Sequence, residues 1–156
     1  MLTGQYTAYR LIRRVILLEK IQLMLSSIEN EISFRSSPSY ILIKSLGENP
    51  QLSELGFIGE CLRRTGGGED FHSAWKSSVC MKENVRYLKK EDTALLISFG
   101  ELFGTTDTEG QISNCRLHSE LVRDKLREAR DIRDRYASLF MGMGIVCGVG
   151  IVIVLV

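Results

Sequence analysis

The stretch from Thr108 to Val156 reads TEGQISNCRLHSELVRDKLREARDIRDRYASLFMGMGIVCGVGIVIVLV and contains neither proline nor a turn signal. Ile112, Cys115, Ser119, Val122, Leu126, Ala129, Arg133 and Tyr136 recur at alternating three- and four-residue steps, the spacing that keeps one face of a helix against a neighbour. The spacing predicts one continuous helix, capped by Asp107 or Thr108. Its last part, residues 137–156, carries no charge, and eleven of its residues are Leu, Ile, Val or Phe. Twenty helical residues span about 30 Å, the thickness of a bilayer's hydrocarbon core. Each of the eleven favours insertion by roughly 0.3–0.6 kcal/mol. A buried strand would be much shorter. The expected division is a helical domain over 1–136 and a C-terminal transmembrane helix over 137–156.

Arg123, Lys125, Arg127, Arg130, Arg133 and Arg135 precede the apolar segment, which places the 1–136 domain on the cytoplasmic side. Tyr136 sits at the boundary, where an amphipathic ring is accommodated. Gly144 and Gly148, four apart, give a flat face for a second helix, from a copy of the chain or from a partner. Asp124, Glu128, Asp131 and Asp134 lie three or four residues from the basic side chains, so surface ion pairs are expected along this helix. Arg123, Arg127, Arg130 and Asp131 are the candidate docking residues for a partner beside the membrane. The interspersed carboxylates dilute any purely lipid-binding patch.

Working back along the chain, Gly104 ends a helix over 89–103 that carries Leu95, Leu96, Phe99, Leu102 and Phe103. Asp70 is placed to N-cap a helix over 71–79 with Phe71, Trp75 and Val79 inward. A helix over 52–64 presents Leu55, Ile58 and Leu62 to the core, and Gly66, Gly67 and Gly68 interrupt it. Tyr40, Ile41, Ile43 and Leu46 mark a short helix between Pro38 and the Gly47–Asn49–Pro50 turn. Gln5 to Phe34 is a long amphipathic helix whose stripe is Leu18, Ile21, Leu25, Ile28 and Ile32, widened by Leu17 and Met24. No strand pattern appears. The fold class is all-α, an antiparallel bundle with short loops.

Composition excludes several functions. A net charge of +1 gives no basic footprint for nucleic acid. The four cysteines, Cys61, Cys80, Cys115 and Cys147, fit no zinc spacing, and Met1–Arg10 is too polar for a secretory signal, so the thiols are expected to be reduced. The triple glycine lacks the Lys-Ser or Lys-Thr of a phosphate loop. Asp70, His72 and Ser73 are too close in sequence for a catalytic triad, and no nucleophile elbow is present. Cys115 and His118, one turn apart, are half a metal site without a second half. The chain is expected to be no enzyme and to need no cofactor.

The C-terminal half also resembles a known family, stage III sporulation protein AB of endospore formers. The match is carried by Leu96, Phe99, Gly100, Glu101, Leu102 and Gly104, then Asp107, Glu109 and Gln111, with Ala129 and Tyr136 in the long charged helix. The Leu-Ser-Ser-Ile-Glu-Asn-Glu-Ile run at 25–32 and Trp75 extend it upstream. The resemblance implies a helical domain similar to that of the inner-membrane platform protein of type II secretion and type IV pilus systems. It implies a scaffold in a mother-cell channel complex facing the forespore, with a cytosolic secretion-type ATPase and other channel subunits as partners. Charged residues 123–135 and the 99–104 turn are the surfaces it nominates. Family members usually begin with an additional transmembrane helix. Residues 1–9 are too short and polar for one, so the start is truncated or this member has a single anchor. A generic tail-anchored adaptor is the reading from outside the family.

Overall fold

The computed structural model describes the backbone of residues 2–35 and 39–155 and the side chains of 5–34 and 41–139. Its elements are α1 (Leu2–Arg35), α2 (Ser39–Gly47), a 3-10 turn (Pro50–Leu52), α3 (Gly56–Gly66), α4 (Phe71–Val79), α5 (Lys82–Val85), α6 (Lys90–Leu102) and α7 (Thr108–Leu155). Among the described residues there is no strand, so the chain is all-α. Helix α7 runs 48 residues, about 70 Å. Among the described residues no helix is long and apolar enough to cross a membrane. The side chains of 140–156, which carry most of the expected span and the Gly144–Gly148 pair, lie outside the described residues.

The two long helices make the frame. On α1 the stripe of Leu18, Ile21, Leu25, Ile28 and Ile32 is buried, joined by Val15, Leu17 and Met24. On α7 the seam buries Cys115, Val122, Leu126 and Ala129. Surface ion pairs fix the direction: Glu19 meets Arg130 at 2.6 Å and Glu29 meets Arg116 at 2.7 Å. Numbers rising on α1 pair with numbers falling on α7, so the helices are antiparallel. The beginning of α1 therefore lies beside residues 133–137 of α7, where Ala8 and Ile12 share a groove with Arg133 and Ala137.

The shorter helices build a second layer around aromatic rings. Phe57 stands edge-on to Trp75 at 5.4 Å, Phe71 packs on Phe103 at 5.5 Å, and Phe99 bridges Trp75, Phe103 and His118. The Trp75 indole is buried, and its Nε1 donates to the Leu96 carbonyl oxygen at 2.8 Å. Asp70 caps α4 as its position predicts, its Oδ1 accepting from the backbone of His72 at 2.9 Å.

One local boundary is corrected and one element is added. The helix expected from Leu52 begins at Gly56. Residues 50–52 instead form a 3-10 turn, because Asn49 Oδ1 accepts from Gln51 N at 2.9 Å and Pro50 starts a turn there. The four-residue α5 is an unexpected element, too short to show a period. The triple glycine ends α3 as expected, through a hydrogen-bonded turn: Gly67 N reaches the Arg64 carbonyl at 3.0 Å, and Gly68 takes φ +96°.

One buried ion pair ties the layers together. Arg14 donates through Nε to Asp92 Oδ2 at 2.7 Å and through Nη2 to Oδ1 at 2.9 Å. Only 3% of the Arg14 side chain and none of Asp92 is exposed. Asp92 Oδ2 also accepts from Lys89 N at 2.9 Å, closing the first turn of α6. On the outer side, Glu128 of α7 holds Lys89 Nζ at 2.6 Å and lies 3.8 Å from Arg14 Nη1. The bond to Asp92, against the opposing effect of burial, holds the Arg14 guanidinium more firmly protonated than usual. Removing one member of such a pair leaves an uncompensated buried charge, at a cost of about 3–5 kcal/mol. Asp92→Ala should therefore lower unfolding stability by about that amount, read from the fluorescence of Trp75 in a denaturant titration. The double change Arg14→Met with Asp92→Leu should recover much of it. A loss below about 1 kcal/mol for Asp92→Ala would show that the pair is solvated.

Candidate functional site

The residues nominated from sequence fall in two places, the turn between α6 and α7 and the outer face of α7. In the turn, all but Glu101 and Leu102 do a structural task. Phe99 and Phe103 are buried in the aromatic cluster. Gly100 lies against the Trp75 indole so closely that a Cβ there would overlap the ring. Its carbonyl accepts from His72 Nδ1 at 2.9 Å, a bond from α4 to α6 that requires the proton on that nitrogen. Gly104 takes φ +78°, a left-handed conformation that a side chain resists. Asp107 Oδ1 accepts from Gly110 N at 2.9 Å and caps the long helix. Gln111 Nε2 donates to the Thr106 carbonyl at 3.1 Å, holding the turn from its far side. Glu101 and Leu102 are the outward members, with Leu102 44% exposed.

On α7, Arg123 pairs with Glu120 at 2.8 Å and Arg127 with Asp124 at 3.6 Å, both within the helix. These pairs are solvated, with the Arg127 and Asp124 side chains each 71% exposed, so they add little stability. Arg130 is engaged across the bundle with Glu19, while Asp131 is exposed. The four nominated residues thus divide. Arg123, Arg127 and Asp131 face outward, and Arg130 is part of the α1–α7 pairing.

The remaining candidates sit in structural roles. Cys115 is buried, and His118 is buried beside Phe99 with its ring held by the Asn114 carbonyl at 3.0 Å. Among the described residues no group of three or more His, Cys, Asp or Glu could hold a metal ion. The Ser73 side chain first, then the backbone amides of Ser73 and His72, lower the Asp70 carboxyl below its ordinary range against the opposing effect of burial. Burial pushes the Cys61 thiol up to about 11 and the Cys115 thiol up to about 12. Cys61, Cys80 and Cys115 are free thiols, and of these Cys80 alone is exposed.

Sequence reading missed Arg14 and Asp92. A signal for Arg14 exists: it stands four residues before Leu18 and seven before Ile21, on the core stripe itself. A charge there calls for a buried partner. Nothing in the chain points to Asp92, 78 residues away.

The fold and these sites describe a helical bundle on a long C-terminal rod. The family model of stage III sporulation protein AB matches residues 1–156, and the chain belongs to that family. A solved structure of stage III sporulation protein AB is similar in fold, with a TM-score of 0.61 and 21% identity, covering 79% of this chain and 98% of that one. No curated protein matches the chain.

Two outcomes follow from the turn and the thiols. Gly100→Ala must move the Trp75 ring and should cost about 1–3 kcal/mol, as overpacking does. Gly59→Ala, in α3 with nothing within 4 Å of the added Cβ, should be neutral or stabilise by up to about 1 kcal/mol. Thermal melting of the two variants checks the pair, and equal effects would refute the close approach. Alkylation of the native chain with iodoacetamide at neutral pH should label Cys80, with Cys61 and Cys115 reacting only after unfolding. Peptide mass spectrometry reads the order.

Proposed function

We propose that the chain is a non-enzymatic scaffold of the stage III sporulation channel complex. In this reading residues 137–156 anchor it in the outer forespore membrane, and the bundle faces the mother-cell cytoplasm. There it docks a secretion-type ATPase and other channel subunits, in the manner of the type II secretion platform domain. Membership of the sporulation family supports the process. One observation carries the rest: α7 begins at Thr108 inside the bundle and continues as helix to Leu155, through the uncharged sequence. A single rod that packs the domain and enters lipid would hold the domain at a fixed height and direction above the membrane.

The docking surface in this reading is the outer face of α7 around Arg123, Arg127 and Asp131. Its intrahelical pairs are weak enough to exchange for a partner's carboxylates. The turn residues from Phe99 to Gln111 would shape that surface indirectly, by setting where α7 starts.

Fractionation of sporulating cells tests the anchor. The intact chain should stay in the membrane pellet after an alkaline carbonate wash, and a chain ending at residue 136 should be released. Release of the intact chain overturns the anchor. The docking claim has its own test in co-purification of the secretion-type ATPase with the full chain. The double reversal Arg123→Glu, Arg127→Glu should cut recovery severalfold while the chain remains in the pellet. Undiminished recovery would move the contact elsewhere.

A further inference from the structure

The end of the bundle nearest residue 137 carries a cluster that neither the core nor the α7 docking face explains. Three elements meet there. From α1 come Tyr6, Tyr9, Arg10 and Arg13, from the α5–α6 connection Arg86 and Tyr87, and from α7 Tyr136. Tyr9 stands edge-on to Tyr87 at 5.8 Å. Arg13 and Arg86 lie over the Tyr87 ring at 5.7 and 5.6 Å, and Arg10 lies over Tyr6 at 6.0 Å. Arg13 is bound to Glu54 at 2.7 Å. Arg10 and Arg86 are exposed and have no carboxylate partner among the described residues. The apolar surface at this end is also unusually open: Tyr6 is 52% exposed, Tyr9 51%, Ile12 46% and Leu139 66%. Beside it Ala8 and Ala137 leave an almost wholly apolar groove of about 250 Å³ between α1 and α7.

We propose that this end of the bundle, built on Tyr6, Tyr9, Arg10, Arg86 and Tyr87, docks on anionic phospholipid, with phosphate at the two unpaired guanidiniums and an acyl chain in the Ala8–Ala137 groove. The inference rests on the anchored reading above. The antiparallel pairing places the start of α1 level with residues 133–137, and the segment expected to enter lipid begins at 137, so this cluster would lie at the headgroup layer. Tyrosine suits that layer because its ring is apolar and its hydroxyl is polar. Stacked arginine keeps its planar donors directed outward for phosphate. Charge complementarity selects anionic lipid. Over residues 82–91, Lys82, Arg86, Lys89 and Lys90 outnumber Glu83 and Glu91, and Lys89 is already held by Glu128. This is a second membrane contact, separate from the helix that would span the bilayer, and it would fix the tilt of the bundle.

The test uses the full chain in nanodiscs of phosphatidylcholine alone or with phosphatidylglycerol, read by amide hydrogen exchange. Exchange over residues 5–12 and 85–89 should slow by about fivefold or more when phosphatidylglycerol is present, the effect of one basic side chain near an anionic surface. The difference should vanish in about 1 M salt, where the screening length falls to about 3 Å. Arg10→Glu with Arg86→Glu should abolish the lipid dependence. The matched reversal Lys44→Glu with Arg63→Glu, outside the cluster, should leave it intact, and both variants should retain the melting temperature of the parent chain. Incorporation into both discs without a lipid-dependent change overturns the docking face alone and leaves the cluster to an acidic protein surface. Failure to incorporate into either disc overturns the anchor and the docking face together.

Discussion

The antiparallel contact between α1 and α7 is the constraint on which the other elements depend. It is the one pairing that runs the length of the domain; α2 packs on α1 and α6 on α7, and α3 and α4 join the frame through α2 and α6. Leu18, Ile21, Leu25 and Ile28 on α1 and Val122, Leu126 and Ala129 on α7 are buried in one hydrophobic cluster, and their removal from water drives the pairing. Fully burying each aliphatic side chain is worth about 1.5–3 kcal/mol, so the seam outweighs the solvated ion pairs on either side of it. Those pairs, Glu19 with Arg130 and Glu29 with Arg116, report the register rather than hold it.

The family-matching block from Phe99 to Gln111 could be taken for a binding motif, but its residues are mostly engaged in architecture. Two glycines serve there for different reasons. Gly100 is small because an indole occupies the space, and Gly104 is flexible because the chain must turn with φ +78°. Asp107 and Gln111 then satisfy backbone groups that the turn leaves free. The chemistry is that of a reproducible corner, which decides the angle at which the long rod leaves the second layer.

Much of this was legible in the sequence because helices announce their periods and their ends. Asp70, Gly104 and Asp107 gave boundaries, and the stripes on α1 and α7 gave the buried faces. What stayed hidden depends on proximity in space. Asp92 lies three residues into a helix, where an acidic side chain is ordinary, and only folding brings it to Arg14. Cys115 and His118 invite a metal reading at helical spacing, yet the same spacing places both on the buried seam, where His118 packs on Phe99. The 3-10 turn and α5 are held by a few local hydrogen bonds, and three or four residues carry no detectable period. The outer face of α7 was read correctly as charged, but sequence could not separate Arg130, which reaches α1, from Arg127, which does not.

The buried Arg14–Asp92 pair supplies something that the apolar seam lacks. A stripe repeated every three or four residues looks nearly the same after a slip of one helical turn, about 5.4 Å, so aliphatic packing alone tolerates such a displacement at modest cost. A guanidinium bound through two nitrogens has no equivalent position one turn away. Moved there, it and Asp92 would both be buried without partners, and the penalty would be several kcal/mol. The pair therefore gives α1 a single position relative to α6, while Glu128 of α7, in contact with Lys89 and near Arg14, marks where α7 sits against both. Height along α7 is the coordinate that matters if the rod continues into a membrane, because a one-turn slip would lift Tyr6, Tyr9 and Arg10 away from the level of residue 137. A buried charge placed near that end of the bundle sets the level where an error would displace the most.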